Sequence, residues 1–245
     1  MAKVYYDFHL HSCLSPCGDN DMTPYNLVNM AKFVGFDMIA LTDHNSCLNC
    51  GAAVQAGEHA GLLVVPGMEL CTEEEAHVVC LFPSVDDAMG FHAYVQEHTI
   101  HMPNDPEVFG KQLVMDDTDK ILLEEPCLLI NSAQISVSRV VELAHTYHGA
   151  AFPAHIDKTA YSVIASLGVI PEDAGFSAVE VSPSADVGLL KKTNPEIQGK
   201  ILLRNSDAHY LEHIPDPFAW LDLPECSAEC LIEALNGKFF VDWDI

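Results

Sequence analysis

Short apolar runs that stop abruptly at histidine or an acidic residue recur along the chain, and this repetition constrains the fold more than any other feature. Val4-Tyr5-Tyr6 runs into Asp7-Phe8-His9-Leu10-His11, and Met38 to Leu41 is followed directly by Thr42-Asp43-His44-Asn45. Leu62 to Val65 is closed by Pro66-Gly67-Met68-Glu69, Ala150 to Ala154 by His155, and Ile201 to Leu203 by Ser206-Asp207-Ala208-His209. Ala178 to Val181 is a further run, with Glu180 inside it. Helical stripes separate these runs. One opens at Thr23-Pro24, carries Leu27, Ala31 and Val34, and ends at Gly35. Another spans about Ala52 to Ala60 before Gly61, and a third, capped by Ser136, turns Val137, Val140, Val141 and Ala144 inward before Gly149.

Strand alternating with helix calls for a parallel sheet with helical crossovers. All the polar clusters sit at or just past the C-terminal end of a strand, where α/β barrels keep their active sites. His77 is the exception, because it opens the strand Val78 to Phe82. The expected architecture is therefore a single α/β domain over residues 1–245, a small TIM-like barrel of about seven strands. A last helix from Glu225 to Asn236 and a tail strand over Phe239 to Val241 complete it. Ser84 to Glu125 breaks the rhythm. It reads as a helix with Phe91, Val95 and His98 on one face, then a hairpin around Asp116-Asp117-Thr118-Asp119, a lid-like insertion without chemistry of its own.

At 49% hydrophobic the chain can bury a full core, and no apolar run reaches the roughly 18 residues of a membrane helix. With no signal-peptide pattern at its start and nine irregularly spaced cysteines, the chain is expected in a reducing cytoplasm. Its formal charge of −25, from 36 acidic and 11 basic residues, is read as repelling nucleic-acid backbones, so no long nucleic acid and no membrane is expected as partner. Bound divalent cations would reverse that sign locally.

Residues two apart on a strand point to the same side, so His9 and His11 aim at one point, and paired imidazoles are favoured metal ligands. One such pair is weak evidence by itself. The five segments DFHLHSCLS, ALTDHN, PGMEL with the downstream AHVVCLFP, PAHID and NSDAH, spread over residues 7 to 209, are stronger. In this order they resemble the PHP (polymerase and histidinol phosphatase) superfamily of metal-dependent phosphoesterases. That resemblance implies a distorted (β/α)7 barrel holding two or three divalent ions, zinc, manganese or iron. It implies that His9, His11, Glu69 and Asp207 hold a first metal and that Glu69 bridges to a second, held also by His77 and His155. His44 and His209 would hold a third. Many members of the superfamily carry His or Asp six residues after the second histidine of the His-x-His, where this chain has Cys17. Thiolate suits zinc and iron and binds manganese or magnesium poorly. Either Cys17 is a ligand, or Asp19 substitutes, or only two metals bind.

The expected activity is hydrolysis of a phosphomonoester of a small metabolite or nucleotide by attack of a metal-bound hydroxide, with paired ions also neutralising charge on the phosphoryl oxygens. Alternatives are a phosphodiesterase or short-oligonucleotide exonuclease, an amidohydrolase-type C–N hydrolase, and a non-catalytic metal-binding module. Asp207 and Glu69 are the catalytic carboxylates in this reading. Lys158, three residues after His155, and Arg204, just before Ser206-Asp207, are candidate cations for the substrate phosphate. Asp43 is a candidate to orient an imidazole, or else a turn aspartate. Glu180 either reaches the barrel mouth behind the ligands or, as preferred, makes a simple buried hydrogen bond. Cys47 and Cys50 form a C-x-x-C near Cys13 and Cys17, read mainly as packed thiols, with a separate metal or redox site as the alternative. Cys226 and Cys230 are assigned to the core. Glu73, Glu74 and Glu75 are assigned to a solvated loop. His98 with His101 and His145 with His148 are taken as surface pairs, and His59 and His213 receive no role.

Overall fold

The computed structural model describes residues 2–245. Its central sheet runs in the order β11 (Trp243–Asp244), β10 (Trp220–Leu223), β1 (Ala2–Leu10), β2 (Met38–Leu41), β3 (Leu63–Cys71), β4 (His77–Leu81) and β7 (Ala150–Pro153). A parallel pair, β8 (Ala178–Val181) and β9 (Ile201–Arg204), stands apart from that ladder, as does the hairpin of β5 (Leu113–Met115) and β6 (Ile121–Glu124). Side-chain and loop hydrogen bonds bridge the breaks. The Ile156 N–H donates to the Glu180 carbonyl at 2.9 Å, the Phe8 N–H to Asn205 Oδ1 at 2.9 Å, and the His11 N–H to the Ala208 carbonyl at 3.1 Å. The result is a curled, mixed sheet in which β1–β2–β3 and β8–β9 pair in parallel and the other central ladders are antiparallel, less regular than the expected parallel sheet of seven βα units.

β4 runs antiparallel to both β3 and β7. Its first residue, His77, therefore lies at the same rim as the last residues of the parallel strands, which accounts for the one sequence motif that began a strand. Alternation on β4 buries Val79 and Leu81 in one cluster with Phe8, Phe152 and Leu203, and Val78 and Cys80 in another with Phe91 and Val140. Both faces are apolar, as expected of strands covered on both sides. The helix Ala228–Leu235 closes the enclosed cluster through Leu231, Ile232 and Leu235.

Several boundaries differ from the sequence expectation. β3 continues past Pro66-Gly67 to Cys71 because it pairs with β4 from Gly67 to Cys71. Gly67 is required there, since a Cβ would come within 2.8 Å of the Cys80 carbonyl oxygen. The last helix begins at Ala228 rather than Glu225, with Ser227 accepting the Cys230 N–H, and the tail strand is Trp243–Asp244 rather than Phe239 to Val241. Cys226 is exposed and lies ahead of the helical stripe, outside the core, whereas Cys230 is partly buried and packs against the edge of the enclosed cluster. Within the 84–125 segment, the helix Val85–Glu97 buries Ala88, Phe91 and Val95 in the main core, while β5 packs on Cys13 and Leu14. Glu73 and Glu75 are exposed as expected, but Glu74 between them is half-buried and engaged. Its carboxylate accepts the Ser136 hydroxyl and the Val137 N–H, capping the helix Val137–Thr146 in place of Ser136. Among the described residues, no helix is long and apolar enough to cross a membrane.

Candidate metal centre

β1 carries a register irregularity between Asp7 and Leu10. Val4, Tyr6 and Phe8 face the enclosed cluster, whereas Leu10 joins the outer cluster with Ile39 and the helix Pro24–Val34. The bulge reverses the alternation, so His9 and His11 turn inward at the rim, a common use of bulges beside active sites. Two other residues of the cluster stand on left-handed backbone, His155 at φ 30° and Asp207 at φ 55°, and Asn45 at φ 48° follows His44. Such conformations are costly and concentrate where function fixes a side chain.

At the centre lies Glu69, buried, with five imidazoles around its carboxylate. Oε1 is 3.2 Å from His9 Nε2, 2.9 Å from His77 Nδ1 and 3.2 Å from His155 Nε2. Oε2 is 3.3 Å from His11 Nε2 and 2.9 Å from His44 Nδ1. Asp207 Oδ1 joins on one side, 3.5 Å from His9 Nε2 and 3.2 Å from His11 Nε2. Ligands about 2.0–2.1 Å from a tetrahedral ion stand about 3.3 Å from one another. The spacing of His9, His11, Glu69 and Asp207 fits that value. Although His44 Nδ1 and Glu69 Oε2 approach to 2.9 Å, neither has a hydrogen-bond partner, and His77 Nε2 and His155 Nδ1 are likewise buried and unpartnered. Buried polar atoms normally have partners, so the donor set fits divalent ions. The potential ligand groups are His9-His11-Glu69, His44-Glu69-His77 and His11-His44-His209.

Outer partners fix which nitrogen faces the centre. His9 Nδ1 lies 2.9 Å from Glu180 Oε2, His11 Nδ1 2.9 Å from Ser15 Oγ, and His209 Nδ1 2.8 Å from the Asp207 carbonyl, which leaves each Nε2 for an ion. Glu180 is thus the partner behind His9, and it also accepts the His155 N–H and the Asn205 amide, so the plainer role preferred for it is corrected. Asp43 acts one step further out. It accepts Ser12 and Ser15 hydroxyls, and Ser15 then positions His11. Ser15, Asn205 and Tyr161, which stacks on His77 at 5.0 Å, carried no sequence signal of their own.

Charge follows the geometry. Burial pushes the imidazoles down, but Glu180, Glu69 and Asp207 together hold His9 well above the ordinary histidine value. His11 and His44 rise to about 9 against the same burial, lifted by Asp207 and Glu69 and by Glu69 respectively. Burial and the neighbouring His11 drive His209 down to about 3, and burial lowers His77. Despite burial, the surrounding histidines hold Glu69 and Asp207 well below the usual carboxylate range.

The cluster opens into a cavity of about 810 Å³ lined by Lys158, Tyr161, Asp157, Ser182, Ser184 and Cys17, among others. Lys158 Nζ reaches Asp207 Oδ2 at 2.5 Å. Arg204 does not line the cavity. Its guanidinium donates to the Pro183 and Ala185 carbonyls, so it braces a rim loop and the phosphate role expected for it is corrected. Asp19 does not line the cavity either, and its Oδ1 accepts the Asp21 N–H at 2.8 Å. Cys47 and Cys50 are buried with both thiols on the Gly67 carbonyl, and Cys13 contacts the Leu113 carbonyl, so these thiols do not converge on Cys17. His145 and His148 bind Asn236 and Asp87 rather than each other.

No curated protein matches the sequence. In structure, the chain is similar to the lesion-specific endonuclease Q of Pyrococcus furiosus, with a TM-score of 0.69 and 15% identity, over 99% of this chain and 58% of that one. A structure of endonuclease Q on a 27-mer duplex with an abasic lesion gives 0.68 and 15%, over 98% and 58%. This chain therefore spans little more than half the length of endonuclease Q. A protein from Bifidobacterium adolescentis assigned as a metal-dependent phosphoesterase gives 0.58 and 16%, over 83% and 87%, and an amidohydrolase from Chromobacterium violaceum 0.59 and 19%, over 91% and 93%. At these identities the likeness is one of fold. It nevertheless corrects the exclusion of long nucleic acid, because a protein containing this fold is seen on duplex DNA. Net charge sums over the whole surface and says nothing of the field at one rim. With the PHP domain model matching residues 7–169, the chain belongs to the PHP domain family.

Proposed function

We propose that the chain hydrolyses a phosphomonoester of a small metabolite or nucleotide. The observation that carries this reading is the buried Glu69 carboxylate with five imidazole nitrogens within 2.9–3.3 Å, open on one side to a cavity of small-molecule size. His9, His11, Glu69 and Asp207 would hold one ion, Glu69, His77 and His155 a second, and His44 and His209 belong to a third position. Divalent ions in such a set supply charge stabilisation for the phosphoryl oxygens and water of lowered pKa. The protein's own part is orientation. Lys158, raised above the ordinary lysine value by Asp207 in spite of partial burial, keeps its ammonium charged at the cavity wall, where it can bind a phosphoryl oxygen. Ser182 and Ser184 bring hydroxyls to the same wall; Asp157 accepts from the Ser182 hydroxyl at 2.5 Å and fixes its rotor. Tyr161 covers His77 and shields it from water. The nine free cysteines support a reducing, cytoplasmic setting.

A second reading, phosphodiester cleavage in DNA, is favoured by the likeness to endonuclease Q over nearly all of this chain. Purified protein should be analysed for metal, then offered p-nitrophenyl phosphate, its bis-ester, a panel of phosphorylated metabolites, p-nitroacetanilide and an abasic-site duplex. Release of phosphate from monoesters supports the first reading, and nicking of the duplex the second. Turnover of the anilide alone, or a fully metal-loaded protein inert on every ester, would sink both.

A further inference from the structure

The two carboxylates of the centre are held differently. Glu69 meets imidazoles with both oxygens, whereas the closest approaches of Asp207 to His9, His11 and His209 all run through Oδ1, at 3.5, 3.2 and 3.6 Å. Asp207 Oδ2 accepts instead from Lys158 Nζ at 2.5 Å. A carboxylate can give an ion one oxygen or both. Zinc settles at four ligands, while manganese suits six oxygen-rich positions. Resting on the metal-dependent reading, we propose that Lys158 is a positioning residue for the first metal position. By engaging Oδ2 it restricts Asp207 to one-oxygen binding, which biases that position toward zinc over manganese and leaves room on the ion for water or a phosphoryl oxygen.

The contact is built from both ends. The Lys158 N–H donates to the His155 carbonyl at 2.9 Å, and the Lys158 carbonyl accepts the Ser162 hydroxyl at 2.7 Å. Ser162 is fully buried and caps the helix Val163–Leu167 by accepting the Ala165 N–H, so the turn that carries the lysine is anchored. Opposite it, Asp207 stands on left-handed backbone, which fixes where its carboxylate begins. The acid beside Lys158 in sequence cannot compete for the ammonium. Asp157 spends its two oxygens on the N–H and the hydroxyl of Ser182, at 2.7 and 2.5 Å. Glu180 is spent on His9, His155 and Asn205. Lys158 therefore reaches Asp207, 49 residues away in the chain. With 44% of its side chain exposed, the pair contributes little to stability, and its consequence is which carboxylate oxygen stays free. An ammonium has three N–H groups, so the same lysine still has donors for a phosphoryl oxygen in the cavity that it lines.

The test is metal binding by the full chain. Lys158→Met keeps the side chain's length and donates nothing, and Lys158→Arg restores charge and donors. Zinc and manganese affinities are measured by competition with a chromophoric chelator, and cobalt(II) loading is followed by absorption. Losing a positive charge strengthens the binding of both metals, so the readout is their ratio. Lys158→Met should move the preference for zinc over manganese toward manganese by roughly tenfold, as for other partners of a ligand. Its cobalt ligand-field absorption should weaken as the coordination number rises, and Lys158→Arg should return both readouts toward wild type. A ratio and a spectrum in Lys158→Met equal to those of wild type overturn the assignment, as does an equal change in Lys158→Arg. The readouts are independent of turnover. The expected shift in a protein inert on every ester keeps the assignment and removes the hydrolase reading, whereas a chain that binds none of the three metals removes both.

Discussion

Replacing Glu180 by glutamine changes one atom and no volume, yet the surroundings of this side chain leave the amide nowhere to go. The carboxylate is 1% exposed. Oε1 accepts the His155 N–H at 3.0 Å, and Oε2 accepts the Asn205 Nδ2 amide at 2.8 Å. His9 Nδ1 lies 3.0 and 2.9 Å from the two oxygens. Asn205 cannot turn over to compensate, because its Oδ1 is held by the Phe8 N–H at 2.9 Å. Whichever way glutamine is placed, its NH₂ meets a buried N–H, and an unsatisfied buried donor costs about 1–3 kcal/mol. The tautomer of His9 is loosened as well. An amide N–H directed at Nδ1 would move the ring proton to Nε2, the atom that faces Glu69 and Asp207. Partners of metal-bound histidines are worth about 10–100-fold in metal affinity, or roughly 1.4–2.7 kcal/mol. Glu180→Gln should therefore lower zinc affinity by one to two orders of magnitude, read by competition with a chromophoric chelator, and lower Tm in the metal-free protein. Affinity within threefold of wild type, with Tm unmoved, would refute the role given to Glu180.

The raised histidines set a pH dependence. At neutral pH an ion must displace protons from His9, His11 and His44, the last two at about 9, so metal affinity should climb with pH toward about 9 and binding should release protons. Calorimetry in buffers of different ionisation enthalpy measures the release, and a pH-flat affinity would contradict it. Without metal the sign reverses. Stability from His11 and His44 is whole below the ordinary value of 6.5 and is lost as pH rises through about 9, so Tm should fall across that window. The contribution of Glu69 and Asp207, both held below their normal range, is lost only in strong acid. Glu74→Ala removes the cap of the helix Val137–Thr146 and should cost about 1 kcal/mol by urea unfolding, with metal content unchanged; a loss under 0.3 kcal/mol would leave the cap without weight. For a dianionic ester, kcat/KM should fall as ionic strength rises, because the nearest charges are the bound ions; a rise would mean that the acidic exterior governs encounter.

What was legible in the sequence is what repeats locally. Apolar runs, caps such as Thr23-Pro24 and stops such as Gly35 and Gly61 mark elements within a residue or two, because each depends on its immediate neighbours. The rim histidines were legible for the same reason, since each follows or opens a strand. What escaped depends on pairing across the fold. The direction of β4 is set by its partners, so His77 looked like an exception. Nothing near Glu180 announces a partner 171 residues away, and nothing near Glu74 announces a helix N-terminus 62 residues on. Arg204 was misjudged because chain proximity to Asp207 fixes where its backbone lies but not where a long side chain points; the carbonyls of Pro183 and Ala185 claimed it.

The inference from net charge failed for a related reason. A total of −25 is a property of the surface as a whole, and salt screens charges beyond roughly 8–10 Å. Inside the cluster the balance is different. Two carboxylates, Glu69 and Asp207, stand among histidines, and two divalent ions against them would leave the pocket about +2, in a setting where the ion's own charge dominates. On the proposed reading, phosphate would be drawn to that local excess whatever the far side of the molecule carries. Selection among phosphate esters would then fall to the shape and donors of the rim, to Lys158, Tyr161 and the loop that Arg204 braces. These are the positions at which a monoester and a diester in a duplex differ most, since the ester's second substituent has to leave the cavity past them.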